Sequence, residues 1–124
     1  MNVRSFDDDP SNTVVLPTGQ RAHRHHVAQS EVVRRQFSSP RDGVWTLVGN
    51  GLSNQSFVRA PDGIIAIDTG ESIEEMREAL RYLREVTDEP IAGVIYTHFH
   101  YVEGTQAVLD EGNHADPLPI VGHV

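Results

Sequence analysis

The feature that most constrains the fold is a capped amphipathic helix set between two β-type runs. Ser72, followed three residues later by Glu75, forms a capping box and predicts a helix over 73–86. Apolar residues then recur at intervals of three and four and give this helix one apolar face: Ile73, Met76, Leu80 and Leu83. The runs 64–68 and 91–96 predict strands, and the second is apolar enough to be buried on both faces. This order predicts a βαβ unit.

Further elements are predicted on both sides of this unit. Runs 44–49 and 56–60 are rich in β-type residues, and a Pro-Asp-Gly turn at 61–63 separates the second from the βαβ unit, so we expect a strand meander. A short helix over 106–111, closed by Gly112, and a buried strand over 117–121 are expected after it. The fold class is therefore α/β.

The first 40 residues have a different pattern. Residues 1–20 have three consecutive Asp and no sustained apolar period, so we expect a flexible lead. Residues 21–40 are predicted to be a helical segment that ends at Ser38-Ser39-Pro40, with possible buried contacts at Val27, Val33 and Phe37. The α/β domain is expected to occupy residues 41–124.

Composition narrows the possible functions. The 124 residues include no Cys, so any metal must be held by His, Asp and Glu. The formal net charge is −8, and an acidic surface repels phosphate backbones and anionic lipid, which disfavours nucleic-acid and membrane partners. No apolar run approaches the roughly 20 residues of a spanning helix, and the start lacks the pattern of a signal peptide. We therefore expect a soluble, cytoplasmic protein.

The candidate chemistry lies directly after the strand 91–96. Ligands bind at the carboxyl ends of strands in open α/β sheets, and here His98 and His100 follow the strand end. Two imidazoles at this spacing can converge on one Zn²⁺ if the backbone turns between them, and Glu103 follows closely enough to add an oxygen. The spacing alone also fits a loop with two incidental histidines.

The order of several segments resembles a known family. VGNGLSNQSFV, DGIIAIDTGES and YTHFH occur in the order of the first three strands and first metal loop of the metallo-β-lactamase superfamily, and they are similar to the alkylsulfatase branch. The resemblance covers residues 43–124. It implies the amino-terminal half of an αββα sandwich, so that 41–124 would be an incomplete metallo-β-lactamase-like domain, preceded by the flexible lead and the helix.

The resemblance also assigns residues. It implies that Asp68 is a structural residue that buttresses the metal loop, and that His98 and His100 bind the first metal. Val102 stands where the family pattern His-x-His-x-Asp-His has Asp, and Glu103 stands where it has the last His. The second metal therefore loses its Asp, and Glu103 is assigned as a substituted ligand or catalytic base.

The family's remaining ligands come from later loops that this sequence does not reach. The resemblance therefore implies one zinc ion, bound weakly or not at all by the isolated chain. His123 resembles a strand-end residue of the family and not a ligand. The other cluster, at His23, His25 and His26, is interpreted as a solvated helix face, because i and i+2 do not face each other on a helix.

Three functional hypotheses remain open. The first is an alkylsulfatase-like, metal-dependent hydrolase of a small-molecule ester, with the isolated chain inactive. The alternative is a non-catalytic truncated or degenerate chain that acts only as a subunit fragment or interaction module. The third is a small acidic binding module. Because an apolar sheet without its second half must be covered, we expect self-association or a complementing chain.

Overall fold

The computed structural model describes residues 9–123, and the chain divides into two compact units after Arg34. The first unit contains a short 3₁₀ turn, a two-stranded antiparallel ribbon and a helix: Pro10–Asn12, β1 (Thr13–Val15), β2 (Arg21–His23) and α1 (Arg24–Val32). The described part of the second unit has six strands and two helices: β3 (Gln36–Arg41), β4 (Val44–Val48), β5 (Gln55–Ala60), β6 (Gly63–Ile67), α2 (Ile73–Arg84), β7 (Ile91–Ile95), α3 (Thr105–Glu111) and β8 (Ile120–Val121).

The six strands form one sheet in sequence order. β3 to β6 pair antiparallel, and β6–β7 and β7–β8 pair parallel. The two parallel steps are bridged by α2 and α3, so the predicted βαβ unit is confirmed and a second follows it. Parallel pairing brings the carboxyl ends of β6 and β7 to the same edge of the sheet.

The helix that begins after Ser72 forms as its pattern predicts. The Ser72 hydroxyl accepts the backbone N–H of Glu75 at 3.2 Å. The Glu75 carboxylate accepts the N–H of Glu71 at 3.1 Å, one residue earlier than in a standard capping box. Three of the four predicted apolar positions, Met76, Leu80 and Leu83, are buried, while Ile73 packs at the margin of the core.

The core of the second unit lies between α2, α3 and one face of the sheet. Apolar side chains from β4, β5, β6 and β7 meet those of α2 and α3, and these buried residues form one cluster: Trp45, Leu47, Phe57, Ile64, Ala66, Met76, Ala79, Leu80, Leu83, Ile91, Val94, Ala107 and Val108. The strands alternate buried and half-buried residues, as expected when a sheet is covered on one face.

Ion pairs line the outer surface of α2. Arg81 donates hydrogen bonds to Glu78, and these bonds hold the pKa of that carboxyl below its usual value. A second pair lies outside α2. Arg59, in β5, donates a 2.7 Å hydrogen bond to Glu89, and this bond lowers the pKa of the Glu89 carboxyl. These groups are at the surface, where screening keeps each pair weak.

The prediction for residues 21–40 was partly wrong. α1 covers only residues 24–32, and the stretch 36–41 that was assigned to the helix is a strand. Phe37 pairs with Leu47 across β3 and β4, and its ring stacks on Tyr82 with centroids 5.6 Å apart. Pairing with β4 and burial of this ring outweigh the local helical pattern.

Two further expectations differ from the structure. Within the lead assigned to residues 1–20, residues 13–15 form a strand against residues 21–23, and residues 1–8 lie outside the described part. The strand expected to be buried over 117–121 is only β8, in which Ile120 and Val121 are 50% and 59% exposed. β8 pairs with β7 at the sheet margin, whereas α2 lies over β4 and β5.

No helix within residues 9–123 has both the length and the apolar character needed to cross a bilayer.

Candidate metal loop

The candidate site begins where two parallel strands end. Asp68 follows β6 directly, and Tyr96 and Thr97 follow β7, its parallel neighbour. Carboxyl ends of adjacent parallel strands are the usual position for ligand sites in α/β sheets. Residues 96–104, which connect β7 to α3, form what we call the histidine loop.

Asp68 ties the start of the histidine loop to the turn after β6. One carboxylate oxygen accepts the backbone N–H of Thr97 at 2.8 Å, and the other accepts its hydroxyl at 2.6 Å. Asp68 also has a φ of 57°, a left-handed conformation that Asp adopts more readily than most residues. Asp68 is only 8% exposed, and both of its carboxylate oxygens accept hydrogen bonds from Thr97.

The structure brings His98 and His100 together. Their Nδ1 atoms are 3.0 Å apart, and their ring centroids are 4.7 Å apart. The backbone N–H of His100 also points to His98 Nδ1 at 3.4 Å, so the chain turns between the two residues. Both side chains are exposed. The rings therefore lie on one side of the loop and not on opposite faces of a strand.

The spacing of the two imidazoles fits one zinc ion. Two nitrogens at 2.0–2.1 Å from a tetrahedral zinc are about 3.3 Å apart, a few tenths of an ångström more than the Nδ1 separation here. A small rotation of either ring would provide the difference. The donor set is nevertheless incomplete, because a zinc site normally uses three or four protein ligands.

Glu103 does not join the pair. Within residues 9–123, no group of three or more His, Asp or Glu side chains is close enough to hold a metal ion. Glu103 is exposed and lies just before Gly104, where the chain turns into α3. The short separation in sequence suggested a third ligand, and this role of Glu103 stays a prediction.

A concave surface of about 460 Å³ opens beside the loop. Tyr96, His98, Phe99 and Val102 contribute to one side of it, and His123 contributes from beyond β8. The position of His123 near the loop was not predicted from the sequence. The parallel pairing of β8 with β7 explains its position, because the residues after both strands reach the same edge.

Gly104 closes the other end of the loop at very short range. A Cβ added at this glycine would lie 1.8 Å from the carbonyl oxygen of Thr69 and 2.7 Å from the Cβ of Met76. Only glycine allows the start of α3 to approach the turn after β6 this closely. The loop is therefore held against this turn at both ends.

Two buried threonines of this contact were not predicted from the sequence either. Thr69 is fully buried and Thr105 is 8% exposed, and their hydroxyls are 3.1 Å apart. A threonine in a strand-to-helix turn carries no distinctive pattern by itself. The one available signal was the position of Thr69 in the Asp-Thr-Gly segment that follows β6.

Comparison with known protein families finds a match to the segment that contains both histidines. The family model described as metallo-beta-lactamase superfamily matches residues 48–101, which run from the end of β4 through both histidines. The chain has the α/β fold of part of a metallo-β-lactamase, and the resemblance inferred from the sequence segments is confirmed over this partial region.

More specific relatives are alkylsulfatases. A linear primary-alkylsulfatase of Pseudomonas sp. (strain ATCC 19151) is 41% identical over 56 residues, which are 44% of this chain and 11% of that protein. The structure of the stereoselective inverting sec-alkylsulfatase Pisa1 from Pseudomonas sp. matches with a TM-score of 0.56 and 23% identity, over 63% of this chain and 13% of that one.

A metallo-beta-lactamase from Hirschia baltica matches with a TM-score of 0.54 and 19% identity, over 71% of this chain and 42% of that one. The two structural matches support the fold. The chain spans only about a tenth of the length of the alkylsulfatase relative it matches in sequence. These relatives indicate a family of hydrolases.

Proposed function

We propose that this chain carries the first metal-binding loop of an alkylsulfatase-like, metal-dependent hydrolase, and that His98 and His100 hold one zinc ion. The observation that carries the proposal is the 3.0 Å separation of their Nδ1 atoms at the carboxyl ends of two parallel strands. Bound zinc supplies a water of lowered pKa, which is a nucleophile near neutral pH.

The proposed substrate is a small-molecule sulfate ester, by analogy with the alkylsulfatase relative. Asp68 keeps its proposed role of supporting the loop, and its two hydrogen bonds to Thr97 are the basis for that role. Glu103 keeps its proposed role as a third ligand or general base only if residues 101–104 rearrange when zinc binds.

Calorimetric titration with Zn²⁺ tests the proposal. We expect one ion per chain, bound weakly because two imidazoles form an incomplete ligand set. His98→Ala and His100→Ala should each abolish binding, because a single remaining imidazole is a poor site. His26→Ala is the matched control, since this histidine lies in α1 and should leave the titration unchanged. Loss of binding in the control, and retention in the loop variants, would contradict the proposal.

Release of inorganic sulfate from a linear primary alkyl sulfate tests the catalytic part. With only two ligands in the described residues, we expect no turnover by this chain alone. Turnover that disappears in His98→Ala would instead mean that the chain assembles a complete site, by rearranging or by pairing with another copy.

One observation favours a second function, that of a non-catalytic associating chain. The sheet face opposite the helices has only partly covered apolar residues, including Val58, Ile65 and Ile67, and Ile95 is 38% exposed. The β8 margin adds further exposed apolar surface. Such surfaces favour self-association or binding of a complementing chain. Sedimentation should detect species larger than one chain, and a stable monomer at high concentration would argue against this function.

A further inference from the structure

A line of hydrogen-bonded hydroxyl groups lies next to the histidine loop. The Tyr96 hydroxyl contacts the Thr105 hydroxyl, which lies 3.1 Å from the Thr69 hydroxyl. Thr69 in turn hydrogen-bonds to the carbonyl oxygen of Tyr101 at 3.0 Å. These groups come from the first residue of the loop, the first residue of α3, the turn after β6 and the middle of the loop.

The direction of these hydrogen bonds follows from their last acceptor. The Tyr101 carbonyl can only accept, so Thr69 must use its single hydroxyl proton there. Thr105 must then donate to Thr69, and Tyr96 must donate to Thr105. Every hydroxyl in the line donates once, and Thr69 stands at the point where the line meets the loop backbone. Removing the Thr69 hydroxyl would therefore remove its hydrogen bonds to Thr105 and to the Tyr101 carbonyl.

Thr69 also holds the same carbonyl through its backbone. Its N–H donates to the Tyr101 oxygen at 3.0 Å, so this oxygen accepts two hydrogen bonds from one residue. Asp68, the preceding residue, fixes Thr97 near the other end of the loop by accepting two hydrogen bonds from it. Between these two fixed points lie His98 and His100. Their mutual placement thus depends on two adjacent residues of the turn after β6.

We propose that Thr69 is a positioning residue, whose hydroxyl holds Tyr101 so that His98 and His100 face a single zinc ion. The zinc part of this inference rests on the proposed function. The geometric part does not, because it concerns only the approach of the two rings, whose Nδ1 atoms are 3.0 Å apart. If Thr69 only stabilised the fold, removing its hydroxyl would leave the contact between the His98 and His100 rings unchanged.

Three variants separate these possibilities. Thr69→Val keeps the shape of the side chain and removes the hydroxyl, whereas Thr69→Ser keeps the hydroxyl. Thr46→Val is the matched control, because the Thr46 hydroxyl makes a 3.0 Å hydrogen bond to Ser56 in the sheet and is remote in sequence from the loop. The two readouts are Zn²⁺ affinity by calorimetry and the nuclear Overhauser contact between the His98 and His100 rings in the metal-free chain.

We expect Thr69→Val to lower Zn²⁺ affinity about tenfold, because one buried hydrogen bond is lost. The contact between the two rings should weaken as well. Thr69→Ser and Thr46→Val should match the wild type in both readouts. The inference would be overturned by an intact ring contact in Thr69→Val, or by equal effects in Thr46→Val. If the wild-type chain binds no Zn²⁺, the proposed function fails, and the ring contact alone decides the role of Thr69.

Discussion

Replacing Gly104 with Ala should force the histidine loop away from the turn after β6. The new Cβ would lie 1.8 Å from the Thr69 carbonyl oxygen, and real Cβ contacts essentially never fall below 3.0 Å. The difference of these two distances, 1.2 Å, is the least by which the backbone must move. Gly104 has a φ of −66°, which Ala adopts freely, so the effect is steric and not one of backbone strain.

A movement of this size would break the contacts that hold the loop. Two hydrogen bonds from Thr69 to Tyr101 and one between Thr69 and Thr105 are at risk. At about 1 kcal/mol each they amount to about 3 kcal/mol. For a compact unit of this size, such a loss lowers the melting temperature by roughly 12–24 °C.

Urea unfolding of Gly104→Ala and Gly112→Ala measures the effect against a matched control. Gly112 lies at the other end of α3, has a φ of 75° and has no atom within 4 Å of an added Cβ. Gly112→Ala should therefore lower the free energy of unfolding only by the left-handed backbone strain of about 1–2 kcal/mol. Equal stability of Gly104→Ala and Gly112→Ala, or an intact ring contact between His98 and His100 in Gly104→Ala, would refute this steric explanation.

Three further predictions address the helix cap, the loop carboxylate and the response to acid. Ser72→Ala should lower the free energy of unfolding by about 1 kcal/mol in urea, while Ser72→Thr, which keeps the cap, should cost less. Glu103→Gln should change the Zn²⁺ dissociation constant by no more than about twofold, because an exposed carboxylate outside the ligand pair contributes little. A weakening of about tenfold would show that Glu103 is a ligand. The pKa of Glu89 is lowered in the folded state from its ordinary 4.5, so its contribution to stability is present above that pH and is lost as the pH falls further. The difference in urea midpoint between wild type and Glu89→Gln should therefore shrink between pH 6 and pH 3, and a growing difference would contradict this.

Much of the second unit could be predicted because its signals are local. The Ser72 cap and the apolar spacing after it specify α2, and Gly112 ends α3 in the left-handed conformation that its position indicated. The apolar run 91–96 became β7 with nearly the expected limits. Each of these elements has its period and its boundary residues in one short stretch of sequence.

The remainder depended on contacts between distant residues. Phe37 is in a strand because Leu47 and Tyr82 are there to pair with it and cover it. Residues 117–121 have the composition of a buried strand, yet burial requires a neighbour that the described residues do not supply on the outer side of β8. Composition reports what a segment can bury, and not whether a partner is present.

The same distinction applies to the site. The approach of His98 to His100 follows from a turn within one loop, so a two-residue spacing was enough to suggest it. The position of Glu103 depends on how the chain enters α3, and the role of Thr69 depends on hydrogen bonds to residues more than 30 positions away. Sequence spacing alone contains neither piece of information.

X-ray absorption at the zinc edge, on the chain loaded with one equivalent of Zn²⁺, tests the central claim most directly. We expect two imidazole nitrogens at about 2.0–2.1 Å from the zinc ion, with the remaining positions filled by water oxygens. In the double variant His98→Ala, His100→Ala the imidazole signal should be lost. An unchanged two-imidazole spectrum in the double variant would place the ion elsewhere, and would contradict the assignment of the histidine loop as the metal site.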